Sequence, residues 1–408
     1  MFKSVPHSET LLSIAACCGT PTYVYFDDIL SEKINTLKHH LTGLPLQLLY
    51  AMKANKSIPV MERMKSEGLG IDAVSPGELL LALKMGFPKE KILFSANNMT
   101  DEEMHLAKKH GVILNVGELS RLEKLGKAYP GSDVCVRLNP QIGAGHHKHV
   151  ITAGAESKFG IPVEQIEAIK TIASTYSLKV RGLHQHIGSG ILDADTLWKA
   201  ISVMLSTSLL FDDLHFINLG GGLGIPYKAD ESGLPMHEFA SKIVAPLQSF
   251  IKQHPAKHLQ IWFEPGRFFT AECGVLLATV NTIKPTEHIT FAGVDSGMNH
   301  LVRPAMYGAY HEVVNLSNPD GPLHRYDVVG NICESADFFA KGRMVQQLRE
   351  GDLVAVLDTG AYGMSMANSY NMRSLPAEIF VDAPCGEWRV IRQRKTAESI
   401  AENALNGL

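Results

Sequence analysis

Between residue 46 and residue 266 eight short apolar runs follow one another: LQLLYAMK, GIDAV, ILFSAN, ILNV, DVCVRLN, VRGLHQHIG, FINLGGG and QIWFEPG. They read as β-strands. The stretches between them, among them PVMERMKSEG, PGELLLALKMG, TDEEMHLAKKHG and GELSRLEKLGKAYP, place apolar residues at three-and-four spacing, and several close on glycine. They read as amphipathic helices. Eight alternating strand and helix units fit a closed (β/α)8 barrel of the TIM type better than an open doubly wound sheet. Beyond about residue 270 the texture changes to strand-like runs, GVLLATVNTIK, HITFAGVD, RYDVVGNICE, DLVAVLDT and AEIFVD, divided by Gly, Pro and Asp. The expected architecture is α/β plus β. Residues 30–270 form the barrel, and residues 271–408 form a mostly-β barrel domain that residues 1–29 join through the lone strand TPTYVYF.

A chain of 408 residues exceeds one ordinary core and agrees with two domains, one of them a large barrel. Hydrophobic residues at 45%, charged residues at 20% and 35 glycines are the composition of a soluble, turn-rich enzyme. A formal charge of -4 and the lack of any Lys/Arg-rich run argue against polyanion binding, so no nucleic-acid partner is expected. No apolar run nears the roughly 20 residues that cross a bilayer, and MFKSVPHSET lacks the apolar stretch of a signal peptide. The expectation is therefore no membrane partner and a cytoplasmic location. There the six scattered cysteines, without a CxxC pair, would be reduced thiols.

In a barrel of this kind the C-terminal strand ends face the active site. YAMKANK puts Lys53 at the end of the first run, where a core-facing strand rarely wants a charge. The second run leads to Asp72 and Ser75, the fifth to Arg137 and Asn139, and the sixth ends in HQHIGSG with His184, His186 and Ser189. The seventh ends in Gly220, Gly221 and Gly222, and the eighth in Glu264, Gly266 and Arg267. Three consecutive glycines let backbone N–H groups close on an anion without obstruction by Cβ, and Arg267 adds a permanent bidentate charge, so a phosphorylated ligand is implied. A dinucleotide is disfavoured, because GGGLGIPY lacks GxGxxG spacing and leads into turn-like residues, with no helix to receive a pyrophosphate.

Taken alone, Lys53 would read as a snorkelling or ion-paired lysine. Beside a phosphate site it reads as the amine that forms a Schiff base with pyridoxal 5'-phosphate, its pKa depressed by desolvation. Glu264 then reads as the carboxylate that keeps the pyridine nitrogen protonated. His186 stands where an imidazole can lie over the cofactor, and Ser189 where it can reach the phosphate. His146, His147 and His149 suggest a metal cluster by composition, but no carboxylate or cysteine lies close in sequence, so a solvated loop and no metal are expected.

YAMKANK, SKFG, HQHIGSG, NLGGGLGI, EPGR, VDSGMNHLVRPAMYGAYH, CESAD and DTGAYGMSMANSYN occur in this order. From about Tyr23 to about Asp382 the chain resembles the fold-type III pyridoxal-phosphate decarboxylases with an alanine racemase-like barrel, and among them the diaminopimelate decarboxylase family. The resemblance implies a homodimer with active sites shared across the interface. It implies that Lys53 carries the cofactor, that His186 stacks on its ring and that Glu264 holds the ring nitrogen. Ser189, Arg267 and Tyr362 serve the phosphate, together with Gly220, Gly221, Gly222 and Gly266 of the same loops. Cys333 comes from the other subunit as a proton donor, and Lys158 and Asp337 pair between subunits.

The implied reaction is decarboxylation of meso-2,6-diaminopimelate to L-lysine and CO2, the last step of lysine biosynthesis. By the same resemblance Arg303 and Tyr307, with Arg267 and Tyr362, meet the substrate's distal carboxylate, and Glu334 accepts its distal amine. An arginine with a carboxylate near it suits such a zwitterionic end. A diamine precursor would need an acid and no cation. The alternatives are a decarboxylase of the same fold acting on carboxynorspermidine, ornithine or lysine, an amino-acid racemase, and a non-catalytic cofactor-binding protein.

Overall fold

Each of the eight apolar runs forms a strand, and the strands close on themselves. The computed structural model describes residues 3–143, 145, 152–154, 156–256, 258–383 and 386–407. After β1 (Thr22–Phe26) come the barrel strands β2 (Leu46–Ala51), β3 (Gly70–Ala73), β4 (Ile92–Phe94), β5 (Ile113–Val116) and β6 (Asp133–Asn139). A two-residue β7 (Ile161–Pro162) pairs with β6, and β8 (Lys179–His184), β9 (Phe216–Asn218) and β10 (Gln260–Phe263) complete the cylinder. All eight barrel pairings are parallel, and β10 returns to β2.

The strands read as near-continuous apolar runs because they are covered on both faces: all of β3 and β4 and the last four residues of β2 are buried. Leu49, Leu93, Cys135, Phe216 and Trp262, drawn from five of the eight barrel strands, pack as one cluster separate from the main core. Phe216 and Trp262 stack at 3.9 Å. Helices follow where the three-and-four spacing places them, at Ile58–Ser66, Pro76–Lys84, Asp101–His110 and Leu119–Ala128. Local chemistry starts and stops them. Ser75 Oγ accepts the Glu78 N–H, which makes this serine a helix cap and not a site residue. Thr100 and Glu103 form a reciprocal capping box, and Gly111 ends that helix at a φ of 68°.

The remaining strands are β11 (Gly274–Pro285), β12 (Thr290–Val294), β13 (Val313–Asn315), β14 (Leu323–Val329), β15 (Phe338–Gln346), β16 (Leu353–Val356), β17 (Ala377–Val381) and β18 (Trp388–Arg392). With β1 they make a nine-stranded sheet. β1 lies between β11, antiparallel, and β17, parallel, with all five residues buried, so the lone N-terminal strand sits inside the sheet made by the C-terminal strands. Three strands have no clear signature in the sequence. β13 spans three residues, β15 mixes exposed and buried positions without alternation, and β18 is a largely exposed edge rich in arginine.

The two parts meet at the active end of the barrel. Asn55 Nδ2 donates to the Gly360 carbonyl at 2.9 Å, and the Tyr362 N–H donates to the Ala54 carbonyl at 2.9 Å. The loop after β16 is thereby fastened onto the turn that follows β2.

Candidate active site

That turn carries Lys53. It closes tightly, with the Ala54 N–H donating to the Ala51 carbonyl at 3.1 Å, and Gly266 lies against it so closely that a Cβ there would stand 3.0 Å from Ala54 Cβ. Lys53 projects into a cleft of about 450 Å³. His186, Ser189, Glu264 and Arg267 reach the same cleft from other strand ends, and Arg303, Tyr307 and Tyr362 reach it from the β domain. Residues spread over more than 300 positions of sequence thus share one space.

Lys53 Nζ donates to Asp72 Oδ2 at 3.1 Å. The depressed pKa expected from desolvation is not what the surroundings produce. Burial does pull the ammonium down, but Asp72, then Tyr362 and Glu264, outweigh it, and the pKa is raised. Lys53 is held as a cation on Asp72 and must shed a proton before it can bond to an aldehyde. Asp72, whose own carboxyl is pushed up chiefly by burial, is the nearest acceptor.

Glu264 accepts from His184 Nε2 at 2.9 Å and from Asn218 Nδ2 at 2.9 Å. Burial works against its charge, but His184, His186 and Lys53 prevail and hold its pKa down at about 2. His186 Nδ1 accepts the Gly221 N–H at 3.2 Å, and its pKa is pushed down to about 3, mainly by burial. The ring is therefore neutral, with its proton on Nε2. The glycines allow this close approach. Gly220 and Gly222 have φ of 83° and 90°, and a Cβ on Gly221 would sit 2.5 Å from the Glu264 carbonyl oxygen.

At the other end of the cleft two buried guanidinium groups meet across one ring. Arg267 donates from Nη2 and Nε to Ser189 Oγ at 3.0 and 3.2 Å and from Nη1 to Tyr227 OH at 2.6 Å. Arg303, 1% exposed, donates from Nη1 to His311 Nε2 at 2.7 Å. Both lie over the Tyr227 ring, at 5.8 and 4.9 Å, and Arg267 also lies over Tyr362 at 4.9 Å. These partners are all neutral, so two buried positive charges face the cleft without anionic compensation from them, a demand that bound anions meet. Tyr362 adopts a φ of 58°, a left-handed backbone costing a non-glycine residue on the order of 1 kcal/mol, of the kind that clusters at functional sites.

This set of groups fits pyridoxal phosphate: an amine for its aldehyde, an ionised carboxylate for its ring nitrogen, a neutral imidazole for its ring face, and glycine N–H groups with Arg267 and Ser189 for its phosphate. Tyr227 and His311 escaped the sequence reading. Their signals were an aromatic residue closing GGGLGIPY and a histidine closing RPAMYGAYH. Arg137 lines the cleft above Phe159 at 4.7 Å, whereas Asn139 ties down the backbone of Gly154 and takes no part.

Cys333 and Glu334 do not line the cleft of their own chain. Both are exposed, on a loop where the Cys333 N–H donates to Asn371 Oδ1 at 3.0 Å and Tyr370 OH donates to Glu334 Oε1 at 2.5 Å. Lys158 does line the cleft, but Asp337, its expected partner between subunits, is buried. The Asp337 carboxylate accepts the N–H groups of Met298 at 2.6 Å and Ile332 at 2.7 Å. It braces the loop that carries Cys333. His146, His147 and His149 lie outside the described residues.

Residues 28–271 match the family described as pyridoxal-dependent decarboxylase, pyridoxal binding domain. Diaminopimelate decarboxylase of Methanothermobacter thermautotrophicus is 40% identical over 390 residues, 93% of this chain and 90% of that protein. A solved diaminopimelate decarboxylase superposes with a TM-score of 0.88 at 32% identity, covering 98% of this chain and 97% of the other. The Helicobacter pylori diaminopimelate decarboxylase complexed with L-lysine superposes at 0.87 with 31% identity, covering 98% and 100%. With the match to the whole barrel and to relatives along nearly their full length, the chain belongs to the pyridoxal-dependent decarboxylases, and among them to the diaminopimelate decarboxylase family.

Proposed function

We propose that the chain converts meso-2,6-diaminopimelate to L-lysine and CO2 with pyridoxal 5'-phosphate, closing lysine biosynthesis. When bound, the cofactor supplies the sink for the electron pair of the breaking C–C bond. Lys53 anchors it and yields its place to the substrate amine. Glu264, ionised, keeps the ring nitrogen protonated, and neutral His186 covers one ring face. Ser189, Arg267 and the N–H groups of Gly222 and Gly266 take the phosphate, with Tyr362 beside them, while Gly220 and Gly221, whose N–H groups are held by Asn218 Oδ1 and His186 Nδ1, shape the turn. Arg303, with Tyr307 and the edge of Arg267, takes the distal carboxylate.

The observation that carries this reading is the buried charge of Arg303, which faces the cleft with a neutral hydrogen-bond partner. A site for ornithine or lysine would face a distal ammonium and would repel it there. Arg303→Gln is expected to lower kcat/KM on meso-diaminopimelate roughly 10- to 150-fold, the worth of one charge-assisted hydrogen bond. Parallel assays on ornithine, lysine and carboxynorspermidine complete the comparison. An undiminished kcat/KM in the variant, or a wild-type preference for ornithine, removes the assignment, and retention of the carboxylate in the product would point to a racemase.

The exposed Cys333 and Glu334 complete the site of a second copy in a homodimer, where the partner subunit's Cys333 gives a proton from Sγ to the carbon that has lost CO2 and the partner subunit's Glu334 accepts the distal amine. Mixing inactive Lys53→Ala and Cys333→Ala proteins should then restore about a quarter of wild-type turnover, the share of intact sites under random pairing in a two-fold dimer. No recovery would put both residues in the site of one subunit. The same reading divides the chain at about residues 30 and 270. It also places the protein in the cytoplasm, in keeping with free thiols at the five described cysteines and no described helix long and apolar enough to cross a membrane.

A further inference from the structure

His311 has no role in the reaction as derived, yet it is fully buried and uses both ring nitrogens. Nδ1 stands 2.8 Å from the Leu357 carbonyl oxygen, and Nε2 stands 2.7 Å from Arg303 Nη1. A carbonyl can only accept and a guanidinium can only donate. The ring is therefore neutral, with its hydrogen on Nδ1 and its lone pair on Nε2 aimed at Arg303, and no other tautomer serves both neighbours. Burial first, and then the charge of Arg303, lower its pKa in the same sense.

The post on which the ring rests is itself anchored. Leu357 directly follows β16, and its N–H donates to the Glu312 carbonyl at 2.9 Å, one residue beyond His311. The Tyr227 ring meets His311 edge-on at 5.3 Å and lies under the Arg303 guanidinium at 4.9 Å. The guanidinium is gripped on one edge by an imidazole acceptor and on one face by a phenol ring. Tyr227 also takes a side-chain hydrogen bond from Arg303, and the guanidinium so held lines the cleft.

We infer that His311 is a positioning residue for substrate specificity: it fixes the fork of Arg303 at the angle and depth that select a carboxylate at the far end of the substrate. The inference rests on the function proposed above and names what makes Arg303 selective. A loosely held guanidinium would attract any anion at many distances, whereas a held one rewards the ligand whose two oxygens arrive where its N–H groups point.

The test uses three variants of the full-length holoenzyme. In His311→Gln the side-chain carbonyl reaches about as far as Nε2 and can accept from Arg303. In His311→Asn the amide reaches only the Nδ1 position, and in His311→Leu no acceptor remains. KM and kcat on meso-diaminopimelate, pyridoxal phosphate affinity by absorbance titration and the thermal midpoint are measured for each. His311→Leu and His311→Asn should raise KM about tenfold or more, with kcat within about threefold and cofactor affinity unchanged, while His311→Gln returns KM to within about threefold of wild type. Unchanged KM in His311→Asn overturns the inference. So does a loss in His311→Gln equal to that in His311→Asn, or a parallel loss of cofactor affinity, which would mark a purely structural role. If His311→Leu does not fold, the contrast between Asn and Gln still decides. Absence of wild-type turnover on meso-diaminopimelate would defeat the proposed function, a separate result from unaffected variants of an active enzyme.

Discussion

Turnover by Lys53→Ala is expected to fall by roughly four orders of magnitude, about 5.5 kcal/mol of transition-state stabilisation, because the variant loses both the covalent anchor and the amine that exchanges with substrate. Of the two lysines lining the cleft, Lys53 is the one on the strand-end turn, with its amine 3.1 Å from the buried Asp72 carboxylate. Borohydride treatment of the cofactor-loaded wild type should fix a pyridoxyl mass on the peptide containing Lys53, and the variant should carry none. A stable adduct elsewhere, or turnover within tenfold of wild type, would remove Lys53 from the role. The raised pKa bears on how the experiment is run. The folded state holds this proton more tightly than the unfolded chain, so the raised Lys53 pKa by itself adds stability in full below the ordinary lysine pKa of about 10.4 and loses it as pH climbs through the folded value. Cofactor loading should therefore quicken as pH rises, because the small share of free amine grows about tenfold per pH unit below the folded value.

Glu264→Gln should cost roughly a hundred- to a thousandfold in kcat, the usual scale for deleting a preorganised charge opposite a developing one. The amide is nearly isosteric and can still accept from His184 or Asn218, so the fold should survive while the charge is lost. With a pKa of about 2, Glu264 remains ionised throughout any working range, and the acid limb of the wild-type pH–rate profile should show no titration attributable to it. Its depressed pKa contributes stability that is present above the ordinary glutamate value and lost as pH falls from about 4.5 toward 2. A kcat within threefold of wild type in a folded, loaded Glu264→Gln protein would mean that the ring nitrogen is not met by this carboxylate.

Much of this architecture is written in local patterns. The barrel strands were legible because parallel strands covered on both faces become runs such as ILF and GIDA, and their helices because one apolar face repeats at three-and-four spacing. β15 and β18 were not, since their burial depends on neighbours distant in sequence, and β18 lies at an edge whose arginines face outward. Ser75 stood at a strand end, as a site residue would, but its oxygen is spent on a helix N-terminus.

The sequence by itself determined the kind of chemistry: an amine, a glycine turn, an acid and an arginine at successive ends of strands whose order fixes which end of the barrel they share. Tertiary structure alone decided the state of those groups. Lys53 carries a raised pKa, against the desolvation argument, because Asp72 stands 3.1 Å away, and Arg303 owes its hold to Tyr227 and to His311, the latter propped on Leu357. Proton affinity and side-chain orientation are set by distances between residues far apart along the chain, and periodicity in a sequence reports only on which side of an element a residue lies.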